Sequence, residues 1–386
     1  MNSKKNVLIV GGGIAGLALA NLLDTNKFNS TIIEKKTVAN EDGYIIGIWA
    51  NGLHALKNMP DLFSNLVEKG IISEFQSLTT ASGRKLRYTN LQKLNQKYGG
   101  VVVFTSRGAL HQALQKPLEK TLNIRFGTSI SQLQNGKDNV TVTFENGVIE
   151  TYDFVFGADG LNSSTRDFIE KDNAIVKHNA DFFYCTLPVQ ENLPKITGDI
   201  EMIGNGDYVG VYPYNAAGDL GLYMCIANAP KNQATLPLLK EKLRYFESPF
   251  KECLAVLDEN TTIFRDTLRE VKLKNWYNNR VVLLGDAAHA LLPTTGQGIS
   301  AALEDATLLA DLLNKSDDFS AAFAQYQGIR KPLVDSIQGR SQLINSLVLL
   351  QNPFLCWCRN VLIGLAGLLP KEKSLDKFFE KALAKK

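Results

Sequence analysis

The sequence predicts an α/β fold in which a parallel-sheet domain is interrupted by an inserted, mostly antiparallel β-sheet domain and followed by C-terminal helices. Three observations predict it. The stretch Asn6-Val-Leu-Ile-Val-Gly-Gly-Gly-Ile-Ala-Gly16 sets a buried-strand pattern against a glycine turn and a helical pattern. Two later apolar runs, Asp153 to Ala158 and Arg280 to Leu284, end at the pairs Asp159-Gly160 and Gly285-Asp286. Between them, residues 176–268 become rich in short runs, glycines and tyrosines, as antiparallel strands are.

The first stretch has the form of a Rossmann-like dinucleotide-binding turn. Gly11 permits the tight bend, Gly13 leaves bare backbone for a pyrophosphate, and Gly16 lets the helix pack on the strand. The helix start offers phosphate its unpaired N–H groups and a positive dipole end. Thr31-Ile-Ile-Glu34 reads as the second strand, and Glu34 reads as a ribose-hydroxyl acceptor or, more plainly, as a strand-end charge. The turn alone leaves NAD and FAD equally open.

At 386 residues the chain can bury a large core in two or three compact units. A net charge of +3, with no basic run interleaved with aromatics, gives no reason to expect nucleic acid as a partner. The start passes at once from Met1-Asn-Ser-Lys-Lys into a strand, unlike a cleavable signal, so a cytoplasmic location is expected. The cysteines (185, 225, 253, 356 and 358) form no C-x-x-C pair, and the histidines (54, 111, 178 and 289) lack helical zinc spacing. No metal is expected.

Taking the chain in order, Gly43-Tyr-Ile-Ile-Gly47-Ile-Trp-Ala-Asn51 suggests either close approach to something flat or a bend in a buried loop. Residues 51–70 read as helix, with Leu53, Leu56, Leu62, Leu66 and Val67 on one face. Leu78 to Tyr88 reads as a hairpin turning at Ser82-Gly83. Val101 to Thr105 reads as a strand, followed by Arg107 at the start of a helix carrying Leu110, Ala113, Leu114 and Leu118. A cation there does not help the helix dipole, so Arg107 either meets a ligand phosphate or ribityl chain or is simply solvated. Val140 to Phe144 is a strand candidate before a turn at Glu145-Asn-Gly147. Asp159-Gly160, with Ser163 and Arg166 at the following helix start, lies where open α/β sheets bind ligands.

In the next region Tyr184, Tyr208, Tyr212, Tyr214 and Tyr223 nominate a pocket for a planar substrate, although each taken singly reads as an ordinary packed aromatic. Asn232 to Leu257 reads mainly as helix. After Gly285-Asp286, Pro293-Thr-Thr-Gly296-Gln297-Gly298 leads into a helix with the stripe Ile299, Ala302, Leu303, Ala306, Leu309, Ala310 and Leu313. Its first N–H groups would face a ligand.

Together and in this order, these segments resemble the single-component (group A) FAD-dependent monooxygenases, the aromatic hydroxylase family with the para-hydroxybenzoate hydroxylase fold. Compact members include salicylate hydroxylase-like and tetracycline-inactivating enzymes. The resemblance covers most of residues 5–335. It implies an FAD-binding domain from 1–75, 101–175 and 269–340, a substrate-binding sheet from 76–100 and 176–268, and a C-terminal helical segment, 341–386. It implies bound FAD, with Gly11, Gly13, Ala15, Gly16, Glu34 and Lys35 at the adenosine and pyrophosphate end. Gly285 and Asp286 would hold the ribityl chain, Arg107 would lie near the flavin, and Pro293, Gly296, Gln297 and Gly298 would border the isoalloxazine. Asp159, Gly160 and Arg166 match positions tied to the pyrophosphate and to nicotinamide-cofactor use.

The reaction implied by the resemblance is reduction of FAD by NAD(P)H, formation of a C4a-hydroperoxide with O₂, and hydroxylation of a planar aromatic or polycyclic phenolic or enolic small molecule. Many phenol-hydroxylating relatives deprotonate substrate with a histidine or tyrosine, yet no histidine stands between His178 and His289. Tyr212 is therefore the candidate catalytic residue, or else the substrate is an enol needing little help. An isoprenoid-saturating reductase of the same fold and a flavin-binding regulatory module without turnover are the alternative classes. The Trp-x-Trp-x-Ile-Pro signature of the halogenases is absent.

The tail is unusually apolar at Leu343 to Leu350, Phe354 to Cys358 and Val361 to Leu369, but no run reaches the ~20 residues of a spanning helix. It reads as helices packed on the two domains and covering the active site. A second reading makes Lys371 to Lys386 an interfacial membrane helix, with Phe378, Phe379, Ala382 and Leu383 opposite lysines. Glu372, Asp376 and Glu380 dilute that basic face and favour packing. A monomer or weak dimer is expected.

Overall fold

The computed structural model describes residues 4–37, 44–119, 122–170, 174–367 and 371–383, in the last helix without the side chains of 371 and 381–383. Gly43 and the side chains of Ala382 and Leu383 thus lie outside the described residues. A six-stranded sheet has the order Tyr277–Asn278, Val281–Leu283, Phe154–Gly157, Lys5–Val10, Phe28–Glu34, Asn123–Phe126. Its strands run parallel except for the edge pair Tyr277–Asn278 and Val281–Leu283.

Both faces of this sheet are covered, which is why its strands read as continuous apolar runs. Strand alternation sends Val7, Ile9 and Ile32 towards the helices Ile14–Leu22 and Gly298–Lys315. It sends Leu8, Val10 and Ile33 towards a three-stranded antiparallel meander of Ile130–Asn135, Val140–Phe144 and Ile149–Tyr152.

The second large sheet has seven strands in the order Phe264–Val271, Ile175–Leu187, Leu220–Ala227, Asp207–Pro213, Asp199–Ile203, Phe75–Thr80, Lys85–Asn90. It is antiparallel except where Asp199–Ile203 meets Phe75–Thr80. One face carries Phe183, Met202, Val209, Leu222 and Met224 under the helices Thr235–Lys242 and Phe250–Val256. The other carries Tyr184, Tyr208, Tyr212 and Tyr223. A small sheet of Ile45–Trp49, Val102–Ser106 and Ile71–Ile72 joins the two bodies, and Ile45 packs so tightly on Gly221 that a Cβ there would lie 2.6 Å from its methyl.

Two helical expectations are corrected in detail. Residues 51–70 form two helices, Ala50–Ala55 and Pro60–Lys69, with a 3₁₀ turn at Leu56–Asn58, because Pro60 has no N–H to continue a helix and starts the next one. Residues 232–257 likewise split into two short helices on either side of Ser248-Pro249. In the 43–51 stretch, read as a close approach or a loop bend, Ile45–Trp49 form a paired strand, which corrects the bend and leaves the close approach open.

At the C-terminus a 30-residue helix, Phe319–Val348, is followed by Pro353–Ala366 and Lys371–Leu383. The last helix packs inward: Phe379 is fully buried between Trp49 and Tyr98, and Tyr98 Oη donates to Asp376. Asp376 and Glu380, which dilute the basic face, pair with Lys97.

One buried carboxylate ties these parts together. Asp305, on the apolar stripe of Gly298–Lys315, accepts from the Gly285 N–H at 2.9 Å, from His289 Nε2 at 2.5 Å and from Arg330 Nε at 2.7 Å. These partners overcome the cost of burial and hold its carboxyl below the ordinary aspartate value. Removing the carboxylate leaves the Arg330 guanidinium, which is itself only 3% exposed, with Glu304 as its one remaining carboxylate partner and with its Nε–H unpaired. Asp305→Ala is expected to destabilise the fold by about 3 kcal/mol, while Asp305→Asn, which keeps an acceptor for the Gly285 N–H, costs less. Denaturant unfolding of the two variants checks the order.

Candidate active site

A cavity of about 770 Å³ runs from the glycine turn to the tyrosine face of the antiparallel sheet. Of the residues singled out from sequence, Gly13, Ala15, Arg107, Gly160, Asp286, Pro293, Gly296, Gln297, Gly298 and Tyr212 line it. Gly11, Gly16, Glu34, Lys35, Asp159, Arg166 and Gly285 stand outside its wall, and most of them build it.

At Gly11, φ is +106° and a Cβ would lie 2.4 Å from the Ala158 carbonyl oxygen. At Gly16 a Cβ would lie 2.1 Å from the Gly11 carbonyl oxygen, so strand and helix touch through bare backbone. Gly13 meets nothing within 4 Å and faces the cavity. The helix it starts has no side-chain cap, so its first N–H groups remain for a ligand. Glu34 accepts from the Gly12 N–H at 2.9 Å and from the Lys36 N–H at 2.9 Å, and Lys35 stands exposed beyond the strand. On the other side His111 donates from Nε2 to the Gly12 carbonyl at 2.7 Å. Burial lowers the His111 pKa, so a neutral imidazole with its proton on Nε2 holds the turn.

Asp159 is spent locally, accepting from Ser163, Ser164 and the Thr165 N–H at the head of the helix Ser164–Ile169. Arg166 is buried and donates to the carbonyls of Ala287 (3.2 Å) and Leu161 (2.8 Å), bridging the two aspartate-glycine segments. Gly285, at φ +60°, packs against Ala15, whose methyl would be 3.0 Å from a Cβ. Asp286 projects from that turn into the cavity. The surrounding protein desolvates its carboxyl and raises its pKa, while His289 and Arg107 oppose the rise and Asp305 adds to it. Gln297 accepts from Asn51 Nδ2, and the helix from Gly298 again has no side-chain cap.

Sequence reasoning missed several groups. Tyr44 stacks on Tyr184 with ring centres 4.8 Å apart and lies beneath Arg107, which identifies one neighbour of that arginine. Trp49 and Phe104 line the cavity, and at its far side stand Gln76, Arg87, Asp199 and Glu201. Glu201 approaches Tyr212 Oη at 3.5 Å. Tyr214 does not line the cavity, whereas the other four tyrosines do. The ring of Tyr212, the candidate named from sequence, lies over Gly210, where a Cβ would be 2.2 Å from its hydroxyl. Tyr223 Oη is buried without a hydrogen-bond partner in the protein, a polar atom left for something in the cavity. Burial raises the pKa of Tyr184, Tyr208, Tyr212 and Tyr223 well above 10.0, so all four are neutral phenols.

The cradle fits a dinucleotide at the uncapped helix and a flat ring system beside Pro293 to Gly298. Comparison with known proteins agrees, since the family described as FAD binding domain matches residues 4–337. The chain belongs to the FAD-dependent monooxygenases. This monooxygenase is 29% identical over 379 residues to 2-heptyl-3-hydroxy-4(1H)-quinolone synthase of Pseudomonas aeruginosa, covering 97% of each chain. It is 26% identical over 367 residues to the aurachin C monooxygenase/isomerase of Stigmatella aurantiaca, covering 94% of each. Among solved structures it shares the fold of Klebsiella pneumoniae HpxO complexed with FAD and uric acid, with TM-score 0.86, 21% identity and coverage of 98% and 97%.

The glycine geometry separates folding from cofactor binding. Gly16→Ala drives a Cβ into backbone and is expected to lower the thermal midpoint sharply. Gly13→Ala, at an ordinary extended φ of −81°, is expected to fold like the parent yet to be purified with little flavin, because its methyl would enter the cavity at the uncapped helix start. The ratio of flavin to protein absorbance and a melting curve distinguish the two.

Proposed function

We propose that the enzyme uses NAD(P)H and O₂ to hydroxylate a planar bicyclic aromatic or enolic small molecule that carries an apolar chain. The unbroken cavity from the glycine turn and Asp286 to the tyrosine-covered sheet carries this reading. The quinolone named in the first relative, a flat enolic ring with a heptyl chain, has the shape and polarity that this cavity suits. We also divide the chain as its sequence suggests, with residues 1–75, 101–175 and 269–340 as the cofactor side, 76–100 and 176–268 as the substrate side, and 341–386 as a helical cover.

Bound FAD supplies the redox chemistry: electrons from NAD(P)H and activation of O₂, so that one oxygen atom enters a substrate C–H bond and the other leaves as water. The protein's tasks are binding, orientation and exclusion of water. Gly13 and the helix start after it receive the pyrophosphate, and Glu34 and His111 hold the Gly12 peptide so that the turn is formed beforehand. Asp286, fixed through Gly285 and Asp305, receives the ribityl hydroxyls. The uncapped helix from Gly298 starts at the cavity wall, and with FAD bound its positive dipole end would favour negative charge there. Gln297 and Pro293 to Gly296 border the rings, and Arg107 balances charge beside Tyr44. Asp159 and Arg166 act by shaping the floor rather than by touching cofactor.

On the substrate side Tyr212 serves as a hydrogen-bond donor and not as a base, because burial first, and then Glu201 and Asp199, keep its phenol protonated. Tyr223 Oη offers a second polar contact. An enolic substrate, already electron-rich at the carbon to be oxidised, needs no stronger base.

Two measurements test this. Purified protein should contain FAD, and a 4-quinolone with an alkyl chain should stimulate NAD(P)H oxidation with ¹⁸O from ¹⁸O₂ appearing in the product. Stimulated oxidation that never labels any product would overturn the hydroxylase reading in favour of a reductase. Tyr212→Phe is expected to raise KM by about three- to tenfold, the loss of one neutral hydrogen bond, without moving the pH profile of kcat below pH 10. A shifted basic limb would instead make Tyr212 a base. Gly210→Ala, which displaces the Tyr212 ring, should reproduce the KM effect.

A further inference from the structure

We infer that the outer face of the elbow between the helices Phe319–Val348 and Pro353–Ala366 docks on an anionic lipid bilayer surface, with the cavity opening towards it. Of the fifteen exposed large hydrophobic residues described in the chain, eight lie within residues 343–365. On the second helix they form one stripe: Phe354 is 67% exposed, Trp357 58%, Leu362 67% and Leu365 59%. The opposite side of the same helix is buried, through Cys356 and through Arg359, which donates to the carbonyls of Gly204 and Leu347. The helix is thus fixed to the body on one side and apolar on the other, and its orientation does not depend on a partner.

Three features select a bilayer as the occupant. Charge is the first: from residue 336 to 371 the chain has no aspartate or glutamate, and its only formal charges are Arg340, Arg359 and Lys371. Beside it Lys85 stands exposed on the strand Lys85–Asn90, which packs against this helix, and Arg340 stands exposed on the preceding helix. An apolar stripe rimmed by cations suits anionic headgroups above acyl chains. The second feature is the residue set, large aliphatics with an exposed Phe354–Trp357 pair whose rings stack 6.2 Å apart, as found at membrane–water boundaries. Continuity with the cavity is the third. Ile344 and Leu347 are exposed at the surface and also line the cavity, and Ile363 lines it from the inner side of the second helix. An apolar path from surface to cavity is useful where the outside medium is itself apolar.

The docking is interfacial. No described helix is long and apolar enough to cross a membrane. It also lies one helix earlier than the tail helix that the sequence first suggested, since Lys371–Leu383 turns Phe379 into the body. The view that a lipophilic substrate enters by this path rests on the proposed function, whereas docking itself does not.

The test is flotation of the FAD-loaded full chain with vesicles of phosphatidylcholine alone or with phosphatidylglycerol added. The chain should float with the phosphatidylglycerol vesicles and at least tenfold less with phosphatidylcholine alone. Trp357→Glu/Leu362→Glu should abolish flotation while keeping flavin content and melting point, and Leu343→Glu/Leu365→Glu is a second, independent disruption. Failure of the parent chain to float, or flotation unchanged in both variants, would overturn the proposal. So would a dimer in light scattering that both variants convert to monomer, because the face would then be covered by a second copy. Flotation is read without turnover, so a chain that floats but hydroxylates nothing refutes the proposed reaction and leaves the docking intact.

Discussion

The carboxylate of Asp305 is the constraint on which the site depends. It lies without solvent exposure in the middle of an apolar helix, and it is ionised only because a backbone N–H, an imidazole and a guanidinium all converge on it. Those three partners come from the Gly285 turn, the short helix after it and the long helix Phe319–Val348. A charge that must be satisfied by all three can be buried in only one arrangement of those elements. That arrangement projects Asp286 into the cavity and sets the start of Gly298–Lys315 beside it. An apolar residue at 305 would pack, but it would not fix the turn against the helix.

A second constraint acts on the cofactor end. Gly12 is held through its N–H by Glu34 and through its carbonyl by His111, so the protein's own side chains fix the turn. Preorganisation of this kind lowers the entropic cost of ordering the loop when the cofactor binds. It also changes how Glu34 is understood: the strand-end acid supports the glycine turn directly.

The antiparallel sheet works by alternation. Because side chains change face at every residue, Phe183, Leu222 and Met224 go to the helix-covered core, while Tyr184 and Tyr223 go to the cavity. The glycines at 210 and 221 are where this surface needs no side chain, one for the Tyr212 ring and the other for Ile45 from the neighbouring sheet. The tyrosines are neutral because they are buried, which makes the cavity a surface of rings and hydroxyl donors. Its charged groups are Arg87, Asp199 and Glu201 from the antiparallel sheet, Arg107 and Asp286 from the parallel-sheet body, and Arg340 and Arg359 from the C-terminal helices.

Much of this was legible in the sequence, where chemistry depends on residues adjacent in the chain. The glycine turn, the two aspartate-glycine strand ends and the proline-glycine loop before Gly298 declare a dinucleotide-binding α/β fold, because each combines a strand, a turn and a helix over a short stretch of chain, and their resemblance to the group A monooxygenases points to FAD as the dinucleotide. The tyrosine-rich segment also declared itself an antiparallel sheet. What only the tertiary structure decided involves partners far apart: Asp305 with Arg330, His111 with Gly12, Tyr44 with Tyr184, and Phe379 between Trp49 and Tyr98. Asp159 and Arg166 belong with these, since their hydrogen bonds to the Thr165 N–H and to the Ala287 and Leu161 carbonyls join two segments that their motif alone does not connect. Local spacing determines where backbone can bend and approach a ligand. Which side chain faces that ligand depends on what else is buried beside it, and that is settled only when distant segments pack.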